Sequence, residues 1–278
     1  MPQKTAKNPA RFPHGLSNRR ELMKSAVWLA GGCLAANGWR PLAFAGAKPA
    51  PDADVQAEST QYSSGDFKID AYLARPKADG KYPGVLVIHD DKGLNGQIRG
   101  VARRFAAAGF TALAPDLLSR STGLSAKKTS DEVADAIRQL SVDATLQDLK
   151  SGFSFLDRNA ATNSGKTSTA GFGWGGWRSL SLAANVDGLY RAVYFYGATP
   201  SEGLSDLESP VLAHYAEFDF RNTGNALWTQ KQLKDLGKRF TYYVYPKVDY
   251  GFFDETSVNY DAAQAKLAWS RTLDFLKD

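Results

Sequence analysis

From about residue 58 to its end the chain alternates short apolar runs with longer amphipathic stretches. Residues 59–62 and 67–73 alternate polar and apolar around Ser63-Ser64-Gly65-Asp66, the pattern of a hairpin with a polar turn. Gly84-Val85-Leu86-Val87-Ile88 is an unbroken apolar run of the kind a strand buried on both faces shows. Ile98, Val101, Ala102 and Phe105 then recur at helical spacing until Gly109, which marks a helix stop. The alternation continues with strands at 110–114, 167–172, 192–196, 211–216 and 240–245, and helices at 129–140, 142–158, 174–185, 226–236 and 260–276. Strand–helix alternation with buried strands predicts an α/β fold: a doubly wound, mostly parallel sheet with an antiparallel N-terminal edge.

Composition narrows the function classes. A single cysteine among 278 residues excludes an internal disulfide, a zinc ribbon and an iron–sulfur cluster. The net charge of +5 points at first to nucleic acid or anionic lipid, but its distribution removes that reading. The first 45 residues hold seven of the 34 cations and one of the 29 anions, leaving 27 against 28 in the remainder. That asymmetry marks a targeting segment. Asn18-Arg19-Arg20-Glu21-Leu22-Met23-Lys24 resembles a twin-arginine export signal, and the Ala/Gly-rich stretch after it is shorter than the roughly 20 apolar residues a membrane span needs. Ala43-Phe44-Ala45 supplies small residues for cleavage after Ala45. The expected organisation is a signal at 1–45, a Pro/Ala/Asp spacer at 46–57 and one domain at 58–278. An export receptor meets the precursor, and the mature protein is periplasmic or secreted from a bacterium, free of membrane and of nucleic acid.

In open α/β sheets the ligand sits beyond the carboxyl ends of the strands. Gly171-Phe172-Gly173-Trp174-Gly175-Gly176 lies between a strand and a helix and has the shape of a nucleophile elbow, in which flanking glycines lift the central residue to the top of the sheet. The spacing lacks the G-x-G-x-x-G of a dinucleotide loop, and no nucleotide or other cofactor is expected. His89, Asp90, Asp91 and Asp219 also fall at strand ends. They could suit a divalent ion, but adjacent Asp90 and Asp91 point differently, so no metal is expected.

Residues 88–120, 169–176 (Thr-Ala-Gly-Phe-Gly-Trp-Gly-Gly), 215–219 (Tyr-Ala-Glu-Phe-Asp) and 245–253 (Tyr-Pro-Lys-Val-Asp-Tyr-Gly-Phe-Phe) resemble, in order, the dienelactone hydrolase family. The resemblance implies the α/β-hydrolase fold and cleavage of lactones and esters by a Cys or Ser nucleophile, an Asp and a His. Carried over by position, the nucleophile falls on Gly173, the acid on Asp219 and the histidine on Tyr250. The acidic residue after the first parallel strand falls on Asp90. The resemblance also puts the backbone amides of Trp174 and Asp91 at the oxyanion positions, and Arg120 where the family binds a substrate carboxylate. The family's second such arginine falls on Asp254.

Gly173 has no side chain to acylate, and a tyrosine with an ordinary pKa near 10 is a poor base at neutral pH. The mature chain would retain only His89, at a strand end, and His214, expected inside a strand as a core residue. The expectation is therefore a catalytically degenerate family member that binds a small carboxylate or aromatic ligand in the old cleft, with Trp174, Asp91, Arg120 and His89 as contacts. The alternative is a working, carboxymethylenebutenolidase-like ester or lactone hydrolase that uses Asp90, His89 and Tyr250. A purely structural role is a third reading.

Overall fold

The computed structural model describes residues 54–120 and 129–278. The expected signal and most of the spacer lie outside the described residues. Eight strands form one sheet: β1 Val55–Ser64, β2 Phe67–Pro76, β3 Tyr82–Ile88, β4 Thr111–Pro115, β5 Thr162–Phe172, β6 Ala192–Phe195, β7 Val211–Ala216 and β8 Phe240–Tyr245. Their order is β1-β2-β4-β3-β5-β6-β7-β8. β1 and β2 pair antiparallel, as do β2 and β4, and every later pairing is parallel. The doubly wound, mostly parallel sheet with an antiparallel N-terminal edge is thus observed.

Helices cover both faces. α1 (Gly96–Ala107) and α7 (Ala262–Lys277) bury Val101, Phe105, Ala268 and Leu276 against one face. α3 (Val142–Asp157), α4 (Trp174–Ala183) and α6 (Ala226–Asp235) bury Leu149, Phe153, Leu180 and Leu233 against the other. α2 (Ser130–Arg138) starts in a capping box, where Thr129 and Glu132 satisfy each other's backbone amides, and it packs Ala136 and Ile137 on Leu118. The amphipathic stripes read from sequence face the sheet because that is the only way each helix removes its apolar side from water.

His214 lies inside β7 with no exposure. The Thr272 hydroxyl on α7 donates to the Ala268 carbonyl, so it accepts from His214 Nε2–H at 3.0 Å. Nδ1 is then left to accept from the Tyr245 hydroxyl at 2.8 Å. Burial, aided by Arg271, pushes the imidazole pKa down to about 3, so it sits neutral in the core. It is a packed, fully hydrogen-bonded histidine, as its place in a strand predicts.

Strand register sets up the region above the sheet. Ile88 pairs with Gly171 and Phe172 with Phe195, so the chain leaves β3, β5 and β6 side by side. α4 fits between them because Gly175 has no side chain: a Cβ there would collide with the main-chain carbonyls of Ile88 and His89. Gly65, in the β1–β2 turn, needs glycine for another reason, its φ of +56°, with open space around it. These two glycines separate steric from conformational cost. Gly65→Ala is expected to destabilise by about 1 kcal/mol and Gly175→Ala by about 3 kcal/mol, measured by urea unfolding. Equal costs would show that α4 can shift away from β3.

Candidate functional site

The turn from β5 to α4 is built on Gly173, which has φ 51° and ψ −114°. Any residue with a Cβ is strained there, and glycine is not. Gly173 N–H donates to the Phe195 carbonyl at 3.0 Å, and Gly176 N–H returns to the Gly173 carbonyl at 2.9 Å, which fixes the sharp reversal. α4 therefore begins without a side-chain cap, its first amides unclaimed by any capping residue.

Tyr250 lies directly above this turn. A Cβ placed on Gly173 would collide with the Tyr250 hydroxyl oxygen, lie 3.0 Å from its Cζ and come within 3.5 Å of the Asp90 Cβ. The phenol stands where the side chain of residue 173 would be. Tyr250 leans on Tyr196, their ring centroids 4.9 Å apart. Burial raises the Tyr250 pKa, and the carboxylates of Asp91, Asp90 and Asp219 raise it further. At neutral pH it is a phenol that can donate a proton but cannot accept one.

Asp90 leaves β3 buried, with Oδ1 accepting the Lys92 amide at 2.9 Å. Burial pushes its pKa up to about 6, against the lowering effect of that hydrogen bond and with a further rise from Asp91. Asp91 is half-buried one residue on. The Lys92 ammonium is paired with Asp254 at 2.6 Å, and Asp254 also accepts from the Thr256 amide and hydroxyl at 2.8 and 2.7 Å. Asp254, where the resemblance puts the family's second arginine, is an acid with its own cation.

Asp219 follows β7 and caps α5 (Phe220–Thr223): its carboxylate accepts the Asn222 amide at 3.3 Å and the Asn222 side-chain amide at 2.7 Å. Asn222 also donates to the Tyr196 carbonyl at 3.2 Å. This ties the ends of β6 and β7 together and helps hold Tyr196 at its φ of 39°, a strained value for a tyrosine. The structure thus gathers Gly173, Tyr250, Asp90, Asp91 and Asp219 at one end of the sheet.

Two expected contacts are corrected. Arg120 is held by Asp148 of α3, its Nε donating at 2.9 Å and its Nη2 at 2.5 Å, with the guanidinium over Phe67. Asp148 is almost wholly buried, so this pair satisfies a charge inside the fold and is not free for a substrate carboxylate. His89 is completely buried. Its Nδ1–H donates to the Asp90 carbonyl at 2.7 Å and its Nε2 accepts the Leu117 amide at 3.4 Å. Burial lowers its pKa. With both nitrogens used it is neither a ligand contact nor a base, and the metal reading loses its imidazole.

Trp174 opens α4, and its ring stacks on His89 at 5.7 Å and packs beside Leu118 and Ile137. Its backbone amide remains at the elbow while the ring belongs to the packing beneath. Sequence reasoning missed Tyr196, the Lys92–Asp254 pair and Arg178. The sign for Arg178 was present in Trp174-Gly175-Gly176-Trp177-Arg178, an arginine one turn from one tryptophan and next to another.

The family model described as "Dienelactone hydrolase family" matches residues 69–278. A Salmonella typhi protein named "Putative carboxymethylenebutenolidase" is 30% identical over 251 residues, covering 81% of this chain and 88% of that one. Among solved structures, the Klebsiella pneumoniae "Putative Dienelactone Hydrolase" is 28% identical with a TM-score of 0.73, covering 81% of this chain and 99% of that one. The Anabaena variabilis dienelactone hydrolase, 22% identical, shares the fold at a TM-score of 0.61 over 78% of this chain and 96% of its own. The sheet topology is that of these α/β-hydrolase neighbours. By the match across residues 69–278, the chain belongs to the dienelactone hydrolase family.

Proposed function

We propose that this protein is an exported dienelactone hydrolase family member that has lost the acyl-enzyme reaction and binds a small carboxylate or aromatic molecule beside the elbow. The observation that carries this reading is the shared volume at Gly173 and Tyr250: the elbow has no nucleophile, and a phenol fills the space one would use. Nucleophilic catalysis needs both an acylatable atom and a base to activate it. Gly173 lacks the first, Tyr250 cannot act as the second, and His89 is buried with both nitrogens engaged. The binding part of the reading rests on the half-buried ring of Tyr250 above the elbow. A groove of about 750 Å³ runs past Asn95, Gly96 and Thr129, bordered by Lys92, whose ammonium is already paired with Asp254.

A second reading has one observation in its favour. Asp90, with its pKa near 6, is tuned for general-base work on water at neutral pH. With Tyr250 as proton donor it could hydrolyse a reactive lactone directly. General acid–base help alone gives roughly 10²–10⁴-fold, so only a strained or activated substrate would turn over.

Three outcomes are expected. The full chain turns over 4-nitrophenyl acetate no faster than blank, while Gly173→Cys combined with Tyr250→His gives a burst of nitrophenolate. The new β-carbon at 173 costs about 1–3 kcal/mol of backbone strain. A wild-type rate that disappears in Asp90→Asn would replace this reading with the second one.

Asp90 also makes a pH prediction. Its folded pKa lies above its unfolded value near 3.9, so folding favours the protonated form. That contribution is complete below about pH 4 and is lost as pH rises through 6. The stability of Asp90→Asn relative to wild type should therefore rise by on the order of 2 kcal/mol between pH 4 and pH 7. Guanidinium unfolding across that range measures it, and a flat difference would contradict the buried, raised Asp90.

Export is tested by N-terminal sequencing of the periplasmic fraction. The mature chain is expected to start at Gly46, and a full-length cytosolic product would sink the proposal.

A further inference from the structure

Arg178 sits on α4 one turn beyond Trp174 and is only 4% exposed. Its guanidinium lies over two indole rings, 4.6 Å from the centroid of Trp174 and 4.0 Å from that of Trp177. Nε and Nη1 are buried without a hydrogen-bond partner. Among the described residues no carboxylate pairs with it. Burial alone shifts its pKa, down to about 10, so it remains a cation at neutral pH.

The contrast with Arg120 shows how unusual this is. Arg120 meets the buried Asp148 with two charge-assisted hydrogen bonds. Arg178 is more deeply buried than Arg120 and has only aromatic faces for company. Contact with indole rings offsets part of the desolvation of a guanidinium, but it leaves in-plane N–H donors unmade, and buried donors are nearly always paired. The rings lie against the guanidinium, and Nε and Nη1 are left as buried donors without partners, so a ligand reaches them by displacing Trp174 or Trp177. A planar carboxylate matches a guanidinium, with two oxygens accepting from neighbouring N–H groups. Trp174 and Trp177 are themselves only half-buried, which places the guanidinium one side-chain layer beneath the surface.

We propose that Arg178, held over Trp174 and Trp177, anchors the carboxylate of a small-molecule ligand. This rests on the reading that the protein binds such a ligand, and it names the cation that receives it in place of Arg120. The site adjoins the elbow, since Trp174 is both the first residue of α4 and one of the two rings beneath the guanidinium.

The test is titration of the full chain with benzoate, with its neutral isostere benzamide, and with inorganic phosphate, followed by tryptophan fluorescence and confirmed by calorimetry. Benzoate is expected to bind saturably and at least tenfold more tightly than benzamide or phosphate. Arg178→Met should weaken benzoate binding tenfold or more, and Arg178→Lys should fall between. If Arg178→Met does not fold, the preference for benzoate over benzamide and its reduction in Arg178→Lys carry the test. Benzoate binding that is unchanged in Arg178→Met would overturn the anchor while leaving the ligand-binding reading in place. Failure of all three probes to bind would overturn it as well, as would tighter binding of phosphate than of benzoate. Loss or presence of esterase turnover bears on the elbow alone and leaves this assignment unaffected.

Discussion

The site is organised by mutual exclusion between residues 173 and 250. One volume above the β5–α4 turn can hold either a side chain on residue 173 or the hydroxyl of Tyr250. Glycine at 173 yields that volume and also relieves a backbone conformation that a β-carbon would strain. Tyr250, leaning on Tyr196, then closes the top of the sheet. Gly173 and Tyr250 fit together because a Cβ at 173 and the phenol oxygen cannot share that space.

Around that contact the electrostatics are lopsided. Asp90, Asp91 and Asp219 all raise the Tyr250 pKa. Of the nearby cations, Lys92 is taken by Asp254, and Arg221 lowers the Tyr250 pKa by less than the three carboxylates raise it. A phenol tolerates carboxylate neighbours because it stays neutral, whereas an anionic intermediate at the elbow would be repelled by them. The guanidinium of Arg178, over the indole rings of Trp174 and Trp177, is the cation assigned above to a carboxylate ligand.

Much of the fold could be read along the chain, because each buried strand is a compact apolar run and each helix shows one face. β7 and β8 were bounded to the residue by Val211–Ala216 and Phe240–Tyr245. β5 began later in the sequence reading than in the structure. Its first residues, Thr162–Lys166, are polar, and the turn there is organised by Asp157, which accepts from Ser164, Gly165 and Thr167. The glycine-rich turn between β5 and α4 was legible because it lies within six consecutive residues. Partnerships were not: Arg120 looked available until Asp148, 28 residues on, was seen to hold it. The indole neighbours of Arg178 were visible in local sequence, but the positive φ of Tyr196 and the unpaired Nε and Nη1 of Arg178 were not, since both depend on what the rest of the chain brings near.

His214 has a consequence for how the protein is made. Its ring is buried in β7, next to the edge strand, and its two hydrogen-bond partners come 31 and 58 residues later in the chain. While β7 is being synthesised, this imidazole has nothing to pair with and favours water over the core. A product truncated before Thr272 would leave the buried Nε2–H of His214 without its acceptor.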